Sequence, residues 1–427
     1  MNRLLYSILV TLLTPVLVIY LMLRSRKDPA YRLRWRERFG IKRLASTEVL
    51  IHAVSMGETL AALPLIRQLL RDHPQYRLTL TSTSPTGSAE IVKAFAAEIA
   101  LGRVQHVYLP FDIPWAVARF VRQVAPQLVV IMETELWPNL VHYCNRAGAK
   151  VVLANARLSA KSANQYQQRL RLIRPMLQQL AAIAVQTDAE AARFIALGVD
   201  PDVVTVCGSL KFDLTVDKSR VQQAQHWRQQ WQRQDAPVWV AGSVHPGEFT
   251  EIIAAHQQVL AQQPNALMIM VPRHPEQFDL AAQTLAAAGL SFVRRSEQQA
   301  PEAETQVILG DTMGELLDLY ACADQAFVGG SLIVHGGHNP LEPAALGLAV
   351  YMGPNFRDFL EITELLRGEG NLTLVTDGHA LGQLLLFRAQ HPRELHAAAK
   401  AGQRVLANNR GALTKQLTVI EQQLRNS

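Results

Sequence analysis

The chain has almost no cysteine. Cys144, Cys207 and Cys322 stand far apart among 427 residues, with no C-x-x-C pair. That excludes a disulfide framework and a cysteine-built zinc site, and it suits a reducing compartment. Two phosphate-binding signatures are missing as well. No G-x-G-x-x-G occurs, which excludes a dinucleotide fingerprint, and no G-x-x-x-x-G-K-[ST] occurs, which excludes a P-loop. Charge is sparse, at 18% of residues against 49% hydrophobic. Such a chain can bury a large core and is not disordered. It is too long for one ordinary domain, and two domains of about 150–200 residues are expected.

Residues 4–23, LLYSILVTLLTPVLVIYLML, contain no charge at all. As a helix, twenty residues span about 30 Å, the thickness of a bilayer core. Only Arg3 precedes the run. Nine basic residues (Arg24, Arg26, Lys27, Arg32, Arg34, Arg36, Arg38, Lys42 and Arg43) and two acids (Asp28 and Glu37) follow it. That stretch carries +7 of a net +6, leaving the rest of the chain at −1. Its position beside the apolar run points to a membrane rather than to nucleic acid. The positive-inside rule then places the bulk of the chain in the cytoplasm. A signal peptide is disfavoured by the length of the run, by the lack of a small-x-small cleavage site, and by positive charge on the wrong side. Thr11, Thr14 and Pro15 leave open a helix lying in the interface. The following YRLRWRERFG reads either as a solvated basic helix or as a surface for anionic lipid headgroups or phosphates.

From residue 48 onward, apolar strand-like runs alternate with helical stretches. The first series is EVLIHAVS, RLTLTSTS, QLVVIMETE, KVVLANAR, AAIAVQT and VTVCGSL. A polar segment, KFDLTVDKSRVQQAQHWRQQWQRQDAP, interrupts it. The second series is PVWVAGSVH, ALMIMVPRH, LSFVRRS, TQVILGDT, QAFVGGS, AVYMGP and LTLVTD. Continuous apolar strands between helices predict α/β halves with parallel sheets covered on both faces. The boundaries expected are an anchor at 1–24, a basic juxtamembrane segment at 25–47, and a first α/β domain at 48–210. A linker at 211–218 and a second α/β domain at 219–427, with terminal helices, complete the chain. Two open sheets facing a cleft would bind ligand at the carboxyl ends of their strands.

Those strand ends carry the candidate chemistry. Ser55-Met56-Gly57-Glu58 reads as a capping box and equally as the seat of a general base. Thr312-Met313-Gly314-Glu315 repeats the pattern in the second half. Glu133 and Glu135 either cap the helix begun by Pro138 or act as acids. Asn155, Arg157 and Lys211, and His245, Arg273 and His274, occupy further strand ends. In FVGGSLIVHGGHNPLEPAALG, Asn339 suits a cap, Pro340 a first helical position and Glu342 a third, an N-terminus that favours phosphate. His335 and His338 alone make a weak metal site. Asp200-Pro201-Asp202 resembles a metal-binding D-x-D, but it precedes its strand, so it reads as a turn.

Taken in order, HAVSMGET, TSTSPTGS, YLPFD, METELWPNL, NARLSA, GSLKFD, VPRHPE, GDTMGEL and GGHNPLEPA resemble the lipid A 3-deoxy-D-manno-octulosonic acid (Kdo) transferases of Gram-negative bacteria. The resemblance runs from the apolar segment through at least residue 362. It implies the two-domain GT-B glycosyltransferase fold, with acceptor binding in the first domain and CMP-sugar binding in the second. It also implies metal-free transfer of Kdo from CMP-Kdo to the lipid A precursor (lipid IVA) at the cytoplasmic face of the inner membrane. Carried over, Glu58 is the general base, and Glu133 and Lys211 stabilise the transition state. Pro272, Arg273, Met313, Gly314, Glu315, Asn339, Pro340, Leu341 and Glu342 hold CMP. The chain departs from the family pattern at Val244, Asn355 and Asp358, positions that bear on local sugar contacts. The alternatives are another enzyme of the same fold, a nucleotide-sugar 2-epimerase or UDP-sugar transferase, or a non-catalytic membrane scaffold.

Overall fold

The computed structural model describes residues 2–26, 29–214 and 217–425, so Lys27, Asp28 and part of the expected linker lie outside the described residues. Contacts divide the chain into two units, Met1–Asp213 with Arg410–Ser427, and Leu214–Asn409. The division falls inside the segment expected to link the domains. The terminal helices, expected together in the second domain, separate. Pro392–Asn409 stays with the second unit, whereas Ala412–Arg425 returns to the first. Gln416 on that last helix is fully buried; it accepts from Asn155 N–H at 2.8 Å and donates to Gly208 O at 3.2 Å. Asp213 accepts from the backbone N–H groups of Gly411 and Leu413 at the same junction.

The first unit holds seven parallel strands: β1 (Val49–His52), β2 (Leu78–Ser82), β3 (Val104–Tyr108), β4 (Leu128–Met132), β5 (Lys150–Ala156), β6 (Ala182–Val185) and β7 (Val204–Val206). Their spatial order is β3-β2-β1-β4-β5-β6-β7. The direction of winding therefore reverses between β1 and β4. Alternate residues feed two cores. Val49, Ile51, Val130 and Met132 pack on one face with Leu65, Leu69 and Ile420, while Leu50, Val129 and Ile131 pack on the other with Phe120 and Leu140. This two-sided burial explains the continuous apolar runs. β3 escaped the sequence reading because it is an edge strand with polar Gln105 and His106 at its centre. Both are tied down, Gln105 to Thr79 at 3.1 Å and His106 to Leu80 O at 2.9 Å.

The second unit repeats the plan with β8 (Val238–Val244), β9 (Leu267–Pro272), β10 (Phe292–Arg294), β11 (Val307–Leu309), β12 (Gln325–Val328), β13 (Ala349–Met352) and β14 (Leu372–Leu374). The order is β10-β11-β9-β8-β12-β13-β14, with the reversal between β8 and β12. In each unit the reversal opens a crevice at the carboxyl ends of two central strands, where ligands of such folds bind.

The N-terminal helix α1 (Arg3–Arg24) begins at Asn2, whose side chain accepts from Leu5 N–H at 3.0 Å. Thr11 and Thr14 return their hydroxyls to the carbonyls of Ser7 and Val10, so neither leaves an unmet polar group. Among the described residues it is the one helix long and apolar enough to cross a membrane, by length and composition. The basic segment after it is not one solvated helix. It forms a 3-10 turn, Pro29–Arg32, and a single-turn helix α2 (Trp35–Arg38). Arg34 and Arg38 turn inward, their guanidinium groups 4.4 and 4.1 Å from the Tyr108 ring, and Arg34 pairs with buried Glu37 at 2.7 Å. Arg24, Arg26, Arg36, Lys42 and Arg43 remain exposed.

Candidate active site

In the first unit the crevice between β1 and β4 collects three acids. Helix α3 (Met56–Asp72) starts directly after β1, with Ser55 as its cap. Ser55 Oγ accepts from Glu58 N–H at 3.2 Å and donates to Glu58 Oε1 at 2.8 Å, and Glu58 Oε2 accepts from Val54 N–H at 2.8 Å. The carboxylate is thus held in place as well as capping the helix. Burial raises its pKa, the Val54 and Ser55 hydrogen bonds oppose the rise, and the charge of Glu133 adds to it. The helix N-terminus alone favours the ionised form; here burial wins. A base with a raised pKa is a stronger proton acceptor once ionised.

Glu133 follows β4 with φ 54°, a left-handed conformation that costs a non-glycine residue about 1–3 kcal/mol and concentrates at functional sites. Glu133 N–H donates to Ala154 O at 2.9 Å. Glu135 is half-buried, and burial, followed by the charges of Glu58 and Glu133, pushes its pKa up to about 7. Capping does not explain these two acids. The helix Pro138–Arg146 has no side-chain cap from its own N-terminal loop; Asp112, from the loop after β3, accepts from Asn139 N–H at 2.9 Å and Leu140 N–H at 2.8 Å. Lys211 lies half-buried in the 3-10 turn Leu210–Phe212. That turn is fixed by Asn155 Oδ1, which accepts from Leu210 N–H at 3.1 Å.

In the second unit the crevice between β8 and β12 collects cations and imidazoles. Arg273 ends β9, its N–H donating to Val244 O at 3.0 Å, and its guanidinium hydrogen-bonds to nothing among the described residues. His245 Nε2 and His338 Nε2 are 2.9 Å apart. Burial, followed for each by the charges of neighbouring histidines and Arg273, lowers His245 to about 4 and His338 to about 3. His245, His335 and His338 bring their ring nitrogens within 4.8 Å of one another, close enough for a metal ion. Burial is the main reason these imidazoles stay neutral; the Arg273 charge adds to it and would also repel a cation. The same group attracts an anion.

Glu248 holds this loop, a role that sequence reasoning missed. The fully buried carboxylate accepts from the N–H groups of His245, Gly330, Ser331 and Leu332 at 2.8–3.0 Å. A Cβ on Gly329 would lie 2.4 Å from Ser243 O, so only glycine allows the loop this close to β8. The GSVHPGE stretch showed the glutamate but gave no sign of a partner more than eighty residues away.

The helix starts one residue later than expected: Pro340 is its N-cap, with no side-chain cap, and Glu342 falls at the second helical position. Asn339, just before it, still accepts from Leu341 N–H through Oδ1 at 3.1 Å, and its Nδ2 donates to Glu342 Oε1 at 3.3 Å. The helix behind it is only Leu341–Ala345, a weaker dipole than the sequence suggested. The second capping box does not form. Glu315 is drawn to Arg295 at 3.0 Å and accepts from the Thr312 hydroxyl, and it makes no side-chain cap for Leu316–Ala321. Gly314 adopts φ +90° and Met313 is exposed. Pro272 is buried at the end of β9. Val244 is fully buried in the apolar core, so its departure from the family pattern falls on packing. Asp358 lies against Gly336, where a Cβ would meet its Oδ2 at 2.4 Å. Asp200 caps a 3-10 turn before β7, as the turn reading requires.

Residues 33–214 match the family model described as 3-deoxy-D-manno-octulosonic-acid transferase (kdotransferase). The 3-deoxy-D-manno-octulosonic acid transferase of Haemophilus influenzae is 39% identical over 100% of both chains. The chain belongs to the Kdo transferase family. The corresponding Bordetella pertussis enzyme is 34% identical over 99% of each chain. Among solved structures, UDP-GlcNAc 2-epimerase from Neisseria meningitidis aligns with TM-score 0.56 over 89% of this chain and 100% of its own. At 13% identity that likeness concerns the fold, the GT-B class anticipated from the sequence. The protein is a Kdo glycosyltransferase of lipopolysaccharide biosynthesis, which sets aside the scaffold and epimerase alternatives.

Proposed function

We propose that this transferase moves Kdo from CMP-Kdo to the lipid A precursor at the cytoplasmic face of the inner membrane, with Glu58 as the general base. The acceptor hydroxyl attacks the anomeric carbon of Kdo, the bond from that carbon to the CMP phosphate breaks, and CMP leaves. The hydroxyl proton passes to Glu58. Glu133 and Lys211 stabilise the charge developing at the reacting sugar. Arg273 meets the CMP phosphate, with the Met313-Gly314-Glu315 and Asn339-Pro340-Leu341-Glu342 segments around the rest of the nucleotide. A single phosphate needs less countercharge than a diphosphate, so Arg273 and backbone N–H groups serve without a metal.

The observation that carries this reading is the fixed, buried Glu58 carboxylate beside Glu133 and Glu135, two acids that capping does not account for. Incubation with CMP-Kdo and the tetraacyl precursor, with products read by mass, tests it. The expected product is the precursor heavier by one or more Kdo units, with CMP released in equal number. Transfer to water alone, or use of a UDP-sugar in preference, would overturn it.

A further inference from the structure

Helix α1 meets the first unit at both of its ends. Its less exposed positions are 3, 6, 7, 10, 14, 17, 18 and 21, a spacing that forms one face of a helix. At the first turn the contact is polar. Ser7 Oγ donates to Asn139 Oδ1 at 2.8 Å, Arg3 Nη1 donates to the same oxygen at 3.2 Å, and Tyr6 hydrogen-bonds Asp112. Asn139 is fully buried and Asp112 nearly so. Both stand on the carboxyl edge of the first sheet, Asn139 four residues beyond Glu135.

The last turn is held against the same unit. Leu21 and Ser25 are buried, and Arg32 Nε donates to Ser25 Oγ at 2.6 Å. Two residues later, Arg34 donates to Ser88 Oγ at 2.7 Å and to His106 O at 3.3 Å. Two residues reach no further than about 7 Å. A helix of 22 residues is about 33 Å long. If α1 crossed a bilayer, its first turn would emerge a membrane thickness away from its last, and the Asn139 contact could not exist.

We infer that α1 is a monotopic anchor, lying in the headgroup–acyl boundary along the acceptor edge of the first unit instead of crossing the membrane. Its outer face offers Leu12, Val16 and Ile19, exposed by 72%, 60% and 58%, to the acyl boundary. The exposed basic residues after it match anionic headgroups. Trp115 and Trp137 are also exposed, the side chains favoured at that depth. The partner is therefore a lipid bilayer, and the acid cluster opens at its surface. A lipid acceptor can be glycosylated without leaving the membrane, a consequence that rests on the acceptor proposed above.

Cysteine chemistry tests the placement in native membranes, because Cys144, Cys207 and Cys322 are all buried. A Ser7→Cys/Asn139→Cys protein is oxidised, and a separate Leu4→Cys protein is exposed to a membrane-impermeant maleimide from the periplasmic side. The expected result is an internal cross-link and no periplasmic labelling. Periplasmic labelling of Leu4→Cys, or the absence of the cross-link in protein that still binds CMP, would overturn the inference. Kdo transfer measured on the same membranes reports on the proposed reaction independently of either result.

Discussion

Replacing Glu58 with Gln separates the two roles its geometry supports. The carboxylate accepts Val54 N–H and the Ser55 hydroxyl, each at 2.8 Å. A glutamine keeps one oxygen for Val54 and turns its NH2 toward Ser55 Oγ, whose hydrogen can rotate away. One neutral hydrogen bond changes direction, a cost of at most about 1 kcal/mol, and a partly desolvated charge is removed, which offsets it. The shift in Tm should stay within about 4 °C. Catalysis responds differently, because an amide cannot take the acceptor proton. Loss of a general base costs about 10²–10⁴ in rate, or about 2.7–5.4 kcal/mol of barrier. The assay is single-turnover Kdo transfer at saturating CMP-Kdo, with CMP affinity and melting measured on the same sample. Ser55→Ala is the comparison: it removes the cap at about 0.5–2 kcal/mol and one of the two hydrogen bonds that hold the carboxylate, but keeps the carboxylate itself. Glu58→Gln should lose rate with little loss of stability, and Ser55→Ala should lose stability with a smaller loss of rate than Glu58→Gln. A Glu58→Gln enzyme within tenfold of the parent rate would reduce Glu58 to a helix cap.

Arg273→Ala should weaken CMP binding by about 2–5 kcal/mol, measured by calorimetry, and should let His245 and His338 titrate at higher pH by NMR, since the Arg273 charge depresses both. Unchanged CMP affinity in the folded variant would remove Arg273 from the donor site. Excess EDTA should leave activity intact; activity lost to chelator and restored by a divalent cation would assign a metal to His245, His335 and His338. Glu133→Gln should move the acid limb of the pH–rate profile to lower pH, because the like charge that raises the Glu58 base is gone; a profile that coincides with the parent's would uncouple those two carboxylates. Glu135→Gln should flatten the stability–pH curve. In the folded protein Glu135 titrates at about 7, above its unfolded value, so its contribution is present at low pH and lost as pH rises toward 7.

The central strands were legible because a parallel sheet covered on both faces requires unbroken apolar runs such as Leu128–Met132. Ser55 was legible because an N-cap and its partner lie three residues apart. The misreadings share a different cause: the deciding partner was distant in sequence. Thr312 and Glu315 carry the same local signal as Ser55 and Glu58, and Arg295 redirects it. Glu133 and Glu135 looked able to cap the next helix until Asp112 took that place from another loop. The last helix has an ordinary apolar stripe, and only Gln416, meeting Asn155 across 261 residues, shows which unit it joins. In each case local pattern proposes a role and a remote polar side chain assigns it. The assignment bears on the chemistry as well as on the fold. With Asp112 capping the helix Pro138–Arg146, Glu133 and Glu135 keep their carboxylates beside Glu58, where mutual repulsion raises proton affinity at the edge proposed to receive the acceptor hydroxyl.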